Sequence, residues 1–424
     1  MNMPEKIFMV GVGGIGMSAL AQLLAHDGKR VSGADRDESP TVDLLRKKGI
    51  AVQTPRSDVP DDTELLIYSD AVPTGNFERM SAKALGIPEM SYFEALGEIS
   101  NGKRTIAVAG THGKTTTTGM LAKILADAGK QPTAIVGSIV RDFESNFLAG
   151  DPNLFVVEAC EYRDHLLKLS PEILIITNIE LDHTDYFPDL DALKKTFRTA
   201  AAKVPAHGAI ITNPNDPTIA DVLTDISVPV IDYTKENVPA LGLIGEFNMM
   251  NARAAASAAR TAFPDIVQGA IDLALADFKG SWRRFEYKGE TPSGAIVYDD
   301  YAHHPTAIEK TIEGARAKFP GKKIVIAFHP HLYSRTKSLV HEFASALAKA
   351  DLAIVAPIYA AREEPDPYVS NHTLAEEAAQ KGGDVIALDS FDAIRDELLK
   401  FDSSHLIITM GAGDIYKVAE QIAE

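Results

Sequence analysis

The chain has 424 residues, 45% hydrophobic and 24% charged. That is an ordinary globular composition, and the length exceeds the roughly 250–300 residues at which one core stops growing, so two or three domains are expected. A formal net charge of -17 excludes the basic face a nucleic-acid partner needs, although a few local donors still suffice for a small anion. The single cysteine, Cys160, rules out an intramolecular disulfide. With no signal peptide legible at the start, it points to the cytoplasm, and no run is long and apolar enough for membrane insertion.

In chain order, residues 7–10 read as a buried strand, followed by a glycine turn and a helix to about His26. The turn carries Gly11, Gly13 and Gly16 in G-x-G-x-x-G spacing, with Gly14 and Ile15 between them, and Asp35 stands at the end of the next strand. Such a turn offers free N–H groups to a diphosphate, and the acid suits a ribose. It does not say which nucleotide is bound, and alone it could merely pack a helix on a sheet. "ELLIYSD" is a further strand that ends in Ser69 and Asp70, short polar groups suited to a sugar nucleotide. Strands alternating with helices predict a parallel sheet, closing near a turn at Asn101 and Gly102.

A second strand, turn and helix follow in "TIAVAGTHGKTTTT", residues 105–118. Gly110, Thr111, His112, Gly113, Lys114, Thr115 and Thr116 form a compact variant of the phosphate-binding loop. Its N–H groups grip phosphate, the lysine neutralises it, and the Thr115 hydroxyl can ligate Mg2+. Threonine is a mediocre helix former, so four in succession at a helix start have no good propensity explanation. "LFVVEACE" and "EILIITNIELDH" are apolar strands that end in acids, with Glu158 and then Glu180, Asp182, His183 and Asp185 placed where a magnesium site is expected. Asp182 and Asp185 themselves read as solvated helix caps, and His183 alone as a hydrogen-bonded loop residue. "GAIITN" is another strand and "NMMNARAAASAARTAF" a helix, whereas "ADFKGSWRRFEYKGE" reads as a connector. Four more strands follow in "AIVYDDYAHHP", "KKIVIAFHPH", "LAIVAPIY" and "HLIITMGAG". The expectation is three α/β domains: residues 1–100 and 282–424 Rossmann-like, and residues 101–281 a P-loop ATPase-like domain with a mainly parallel sheet.

Taken together, "GVGGIGMSALA", "AGTHGKTTTT", "NIELDH", "GEFNMMNARAA", "RRF", "DDYAHHPTA", "HPHLYSRT" and "MGAGD" resemble, in order and over essentially the whole chain, the motifs of the Mur ligases. That resemblance implies an ATP-dependent, amide-forming enzyme of peptidoglycan synthesis. The first domain would hold the UDP-sugar, the central domain ATP, and the third the incoming amino acid. Lys114 and Thr115 would contact phosphates and Mg2+, and Glu158 and His183 would ligate a second Mg2+. Asn248 and Asn251 would bind adenine, Arg284 would reach toward the phosphates, and Asp300 would take the ribose. Tyr301, His304, His331 and Arg335 would line the meeting place of amino acid and carboxylate, with His304 or its neighbour orienting or deprotonating the amine, or else capping the helix that follows. Within the family the residues imply L-alanine and UDP-N-acetylmuramate as substrates, in a monomer or weak homodimer.

Four features depart from the family pattern: Cys160 stands in place of a second acid, Phe247 where histidine is frequent, and Leu332 where some members carry a basic residue, while the stretch between Asp216 and Gly245 is short, as if a surface strand pair were trimmed. A ligase adding a whole tripeptide to the same sugar nucleotide is the nearest alternative, against which Tyr301 and "HPHLYSRT" argue. A folate-type ligase would leave the first domain superfluous. An NAD-dependent dehydrogenase would leave the second turn idle, and a P-loop switch protein would leave the third domain unexplained.

Overall fold

The computed structural model describes residues 3–361 and 363–424. Its strands form three mainly parallel sheets, as the alternation of strand and helix predicts, and by contacts the chain groups into two compact units. One unit is Met1–Ile179 with Lys194–Pro239 and Asn251–Lys279; the other is Glu180–Leu193 with Ala240–Met250 and Gly280–Glu424.

The first sheet holds β1 (Lys6–Val10), β2 (Arg30–Ala34), β3 (Ala51–Gln53), β4 (Leu65–Tyr68) and β5 (Glu89–Ser91), in the order β3-β2-β1-β4-β5 and parallel throughout. The order reverses at β1, so the crevice beyond its carboxyl end is where such a sheet receives a ligand.

The second sheet, in the same unit, holds β6 (Arg104–Ala109), β7 (Pro132–Val140), β8 (Ser145–Leu148), β9 (Asp151–Glu158), β10 (Ile173–Ile176), β11 (Ala209–Thr212) and β12 (Val230–Asp232). Their order is β12-β11-β10-β6-β9-β7-β8, and only β8 runs antiparallel to its neighbour. β6 thus lies between β10 and β9. The carboxyl ends of three adjacent strands bring the second glycine turn, Asn178 and Glu158 to one edge of the sheet.

The third sheet, in the other unit, holds β13 (Glu286–Glu290), β14 (Ile296–Asp300), β15 (Lys323–Phe328), β16 (Leu352–Val355), β17 (Val385–Ala387) and β18 (His405–Met410), in the order β13-β14-β18-β15-β16-β17. β13 is its antiparallel edge. Alternate residues of each central strand enter different cores. Ile324, Ile326 and Phe328 pack with Ile308 and Phe343, while Val325 and Ala327 pack with Ile394 and Ile415. Burial on both faces is why these strands read as unbroken apolar runs.

Several strands lie outside those expected from the sequence. The connector ends in β13, whose residues are half polar because one edge faces no further strand. β3, β5, β12 and β17 are three residues each, too short for an apolar run to mark, and β8, Ser145–Leu148, opens with two polar residues.

The turn after β6 requires glycine. Gly110 has φ 129°, and a Cβ there would overlap the Thr177 hydroxyl at the end of β10 and stand 3.0 Å from the Asn178 carbonyl. Gly110→Ala is therefore expected to cost about 3 kcal/mol, read as a fall of several degrees in the thermal unfolding midpoint; an unchanged midpoint would contradict the tight turn.

Candidate active site

The first turn is braced by its own strand ends. Asp35 accepts from the Gly13 N–H at 2.8 Å, and Thr41 donates to the Gly13 carbonyl. A Cβ at Gly13 would press on the Asp35 carboxylate, one at Gly11 on Ser69, and one at Gly16 on the Tyr92 hydroxyl. The third glycine of the fingerprint thus allows close approach of the helix Tyr92–Ser100. Gly14 caps the helix Ile15–His26 without a side-chain bond, so its first-turn N–H groups carry the partial positive charge that attracts a diphosphate. Asp70 stands 3.7 Å from His165, whose ring stacks on Phe93; burial raises the Asp70 carboxyl above its ordinary range.

The second turn is closed from within. Lys114 donates to the Gly110 and Thr111 carbonyls and to Glu161 at 3.0 Å. Burial lowers the pKa of the ammonium, but Glu161, with Glu158 nearby, outweighs it and the net shift is upward. At the end of β10, the Asn178 carbonyl accepts from the Thr111 N–H, and its side chain exchanges two hydrogen bonds with the His112 backbone. Gly113, φ 82°, leaves no room for a Cβ beside the Asn251 amide oxygen. The helix Lys114–Asp127 then buries all four threonines, Thr115 to Thr118. Glu158, at the end of β9, accepts from the Gly137 N–H of β7 at 2.8 Å, and a side chain at 137 would displace its carboxylate. Cys160 is held as a thiol, its pKa pushed up to about 12 by burial. The Thr115 hydroxyl and Glu158 carboxylate are oxygen donors of the kind Mg2+ prefers.

In the other unit, Asp182 is 5% exposed, which corrects the solvated cap expected from the sequence. Arg335, itself buried, donates to Asp182 from Nε at 3.0 Å and Nη2 at 2.7 Å, while its Nη1 meets His331 Nδ1 at 3.4 Å. Burial would raise the Asp182 carboxyl, yet the Arg335 guanidinium beside it holds it well below the usual carboxylate range. His183 takes the left-handed conformation, φ 53°, and its N–H donates to Asp182. His304 caps the helix Pro305–Lys318, accepting from the Thr306 N–H at Nδ1, and its Nε2 lies 3.3 Å from the Leu181 carbonyl. Both ring nitrogens are therefore engaged. His303 differs: Nδ1 meets the Tyr301 carbonyl at 3.0 Å, which assigns the proton to Nδ1 and the lone pair to Nε2. Burial and Arg335 hold its pKa well below the ordinary histidine value.

Asp300 accepts from the Ala302 and Phe285 N–H groups, and Arg284 lies over the Tyr301 ring. Burial pushes the Asp300 carboxyl up to about 6 despite Arg284. Asn248, also buried, donates to the Ile244 carbonyl at 2.7 Å. Residues beyond those expected complete this half. Arg283 pairs with Asp299 at 2.8 Å and donates to the Gly411 and Gly413 carbonyls, tying β14 to the loop after β18. Tyr359 stacks on His331. In the first unit the additional residues are Glu161, Thr177, Asn178 and Gly137. Thr177 and Asn178 had a signal, the end of the strand beside β6; the Arg283–Asp299 pairing had none, because "RRF" does not say which arginine turns inward.

Family profiles match in three consecutive segments: "Mur ligase family, catalytic domain" at residues 6–104, "Mur ligase middle domain" at 108–240 and "Mur ligase, glutamate ligase domain" at 283–413. A relative from Lachnospira eligens is 38% identical, covering 99% of this chain and 98% of its own, and one from Desulfitobacterium hafniense is 38% identical, covering 99% and 100%; both are named UDP-N-acetylmuramate–L-alanine ligase. Among solved structures, UDP-N-acetylmuramate-alanine ligase from Thermotoga maritima superposes with TM-score 0.81 at 26% identity over 98% of both chains. A murein peptide ligase from Psychrobacter arcticus gives 0.73 at 24% identity, over 99% of this chain and 100% of its own.

Two outcomes are expected from this geometry. Lys114→Ala leaves Glu161 buried without its cation and should cost about 3–5 kcal/mol, so it should lower the thermal midpoint as well as activity. Lys114→Met with Glu161→Gln should recover most of the stability but no turnover; full stability in the single variant would contradict the pairing. For Asp300, the raised pKa means the folded chain holds the proton more tightly than the unfolded chain between pH 4 and 6. Its contribution favours the fold at acid pH and is lost, by up to about 3 kcal/mol, as pH rises through 6. Denaturant midpoints read by Trp282, the one tryptophan, in the same unit, should show that slope flattened in Asp300→Asn, and an identical slope would refute it.

Proposed function

The chain belongs to the Mur ligase family, and on that premise we propose that it is an ATP-dependent ligase joining L-alanine to the carboxylate of UDP-N-acetylmuramate, a step of peptidoglycan precursor synthesis. The carrying observation is full-length identity of 38% to relatives of that name. Tyr301 and the "HPHLYSRT" stretch point the same way, and likeness to the murein peptide ligase at 24% identity speaks only for the shared fold.

A carboxylate is a poor electrophile at neutral pH. Transfer of the ATP γ-phosphoryl group to the carboxylate releases ADP and makes an acyl phosphate; the neutral alanine amine attacks its carbonyl carbon, the C–O bond to phosphate breaks, and phosphate leaves with the amine's proton. Each part of the chain has a role in that sequence. The first turn receives the UDP diphosphate, with Asp35, Ser69 and Asp70 at its rim. The second turn gathers the ATP phosphates, where the Lys114 ammonium, kept charged, offsets their charge as it develops. Asn248 and Asn251 take the adenine, and Asp300 the ribose. Thr115 would ligate one Mg2+, and Glu158 and His183 would be ligands of a second; when bound, these ions would supply Lewis-acid stabilisation of phosphoryl oxygens. Asp182 orients Arg335, and Arg335 and His331 present the amino acid. His304, with both nitrogens engaged, shapes this wall and holds no lone pair for a proton. His303, with Nε2 as acceptor, takes a hydrogen bond from the amine. The cytoplasm is the compartment that holds these nucleotides, and no helix among the described residues is long and apolar enough to cross a membrane.

Phosphate release should require ATP, UDP-N-acetylmuramate and amino acid together, with L-alanine turned over faster than the L-Ala-γ-D-Glu-diaminopimelate tripeptide. A coupled phosphate assay run with each acceptor decides it; faster turnover with the tripeptide would reject the assignment.

A further inference from the structure

The helix that opens the first glycine turn is held by a residue 131 positions away. Asn146, on β8 of the second sheet, donates from Nδ2 to the Ile15 carbonyl at 2.5 Å and to the Ser18 hydroxyl at 2.8 Å, and its Oδ1 accepts from Gln22 at 2.9 Å. Gln22 also receives Ser145 at 2.9 Å and donates to the Ser18 carbonyl, and Ser18 donates to the Ile15 carbonyl. Asn146 and Ser18 are 0% exposed. Every hydrogen-bonding position on the Asn146 amide nitrogen is used, so the geometry is fixed on all sides.

The Ile15 carbonyl belongs to the same rigid plane as the Gly16 N–H, which points the opposite way. Gly16 lies in the first helical turn, where N–H groups have no intrahelical acceptor and face whatever sits at the helix end. Fixing the carbonyl therefore fixes the direction of the donor.

We infer that Asn146 is a positioning residue for the UDP-sugar: by holding the Ile15–Gly16 peptide plane, it aims the Gly16 N–H at the diphosphate. This rests on the reading of the first turn as the UDP-sugar site. Ser145 and Gln22 brace the same network from the side away from Ile15, so they separate aiming from mere stability.

The test compares Asn146→Ala with Ser145→Ala, by steady-state kinetics and by calorimetry with UDP-N-acetylmuramate and with ATP. Asn146→Ala removes all three side-chain bonds, of which the one to the Ile15 carbonyl orders the donor; its loss should raise KM and Kd for UDP-N-acetylmuramate about tenfold, with kcat and the KM for ATP within about twofold. Ser145→Ala should lose thermal stability and leave both KM values unchanged. An unchanged sugar-nucleotide KM in Asn146→Ala, or an equal rise in Ser145→Ala, would overturn the inference. If Asn146→Ala does not fold, Asn146→Ser, with one shorter donor, is judged by the same criterion. A parent enzyme that binds ATP but not UDP-N-acetylmuramate would instead overturn the reading of the first turn, and this inference with it.

Discussion

Parallel strands buried on both faces are the constraint from which the rest follows. Such strands hide their side chains in two cores, as the alternation of Ile324 and Val325 does, and leave only their ends for chemistry. Crossover helices begin just beyond the carboxyl ends, so free N–H groups collect there. Gly11, Gly110, Glu158, Asn178 and Asp300 each fall within two residues of such an end. The sheets determine where reactive groups can stand; the turns determine which way they face.

Charge inside these ends is stored in pairs. Lys114 faces Glu161, Arg335 faces Asp182, and Arg283 faces Asp299. Each cation is desolvated, and a desolvated charge without a partner is costly. The acids hold the cations in a fixed geometry at the expense of some of their outward attraction. Asp182 thereby acts through Arg335, and Glu161 through Lys114.

Much of this was legible in the chain. The glycine turns, the long apolar strands and the motif residues stand where their spacing placed them, because backbone conformation and parallel burial impose local patterns. Pairing partners were not legible. Asp182 reads like a helix cap because an acid beside a histidine looks the same whether water or an arginine 153 residues away satisfies it. His304 shows the reverse: its capping of the following helix was readable from the Pro305 that follows. β7 is a different case, since Ile135, Val136, Ile139 and Val140 form as strand-like a run as any in the chain, yet it lies outside the expected strands. Glycine at 137, which usually weakens a strand, is explained only by the Glu158 carboxylate beside it.

The pairing of cations with buried acids also bears on how substrates arrive. A paired, desolvated cation projects little field beyond its immediate surroundings. At longer range the sign is set by the whole chain, which carries a net charge of -17. Both nucleotides are anions, so they diffuse toward the protein up a repulsive gradient and meet attraction only at contact. Salt, which screens fields beyond about 10 Å at 0.1 M, removes the repulsion while hardly touching the contacts. Capture should therefore quicken, not slow, as ionic strength rises, the opposite of a receptor that steers anions electrostatically.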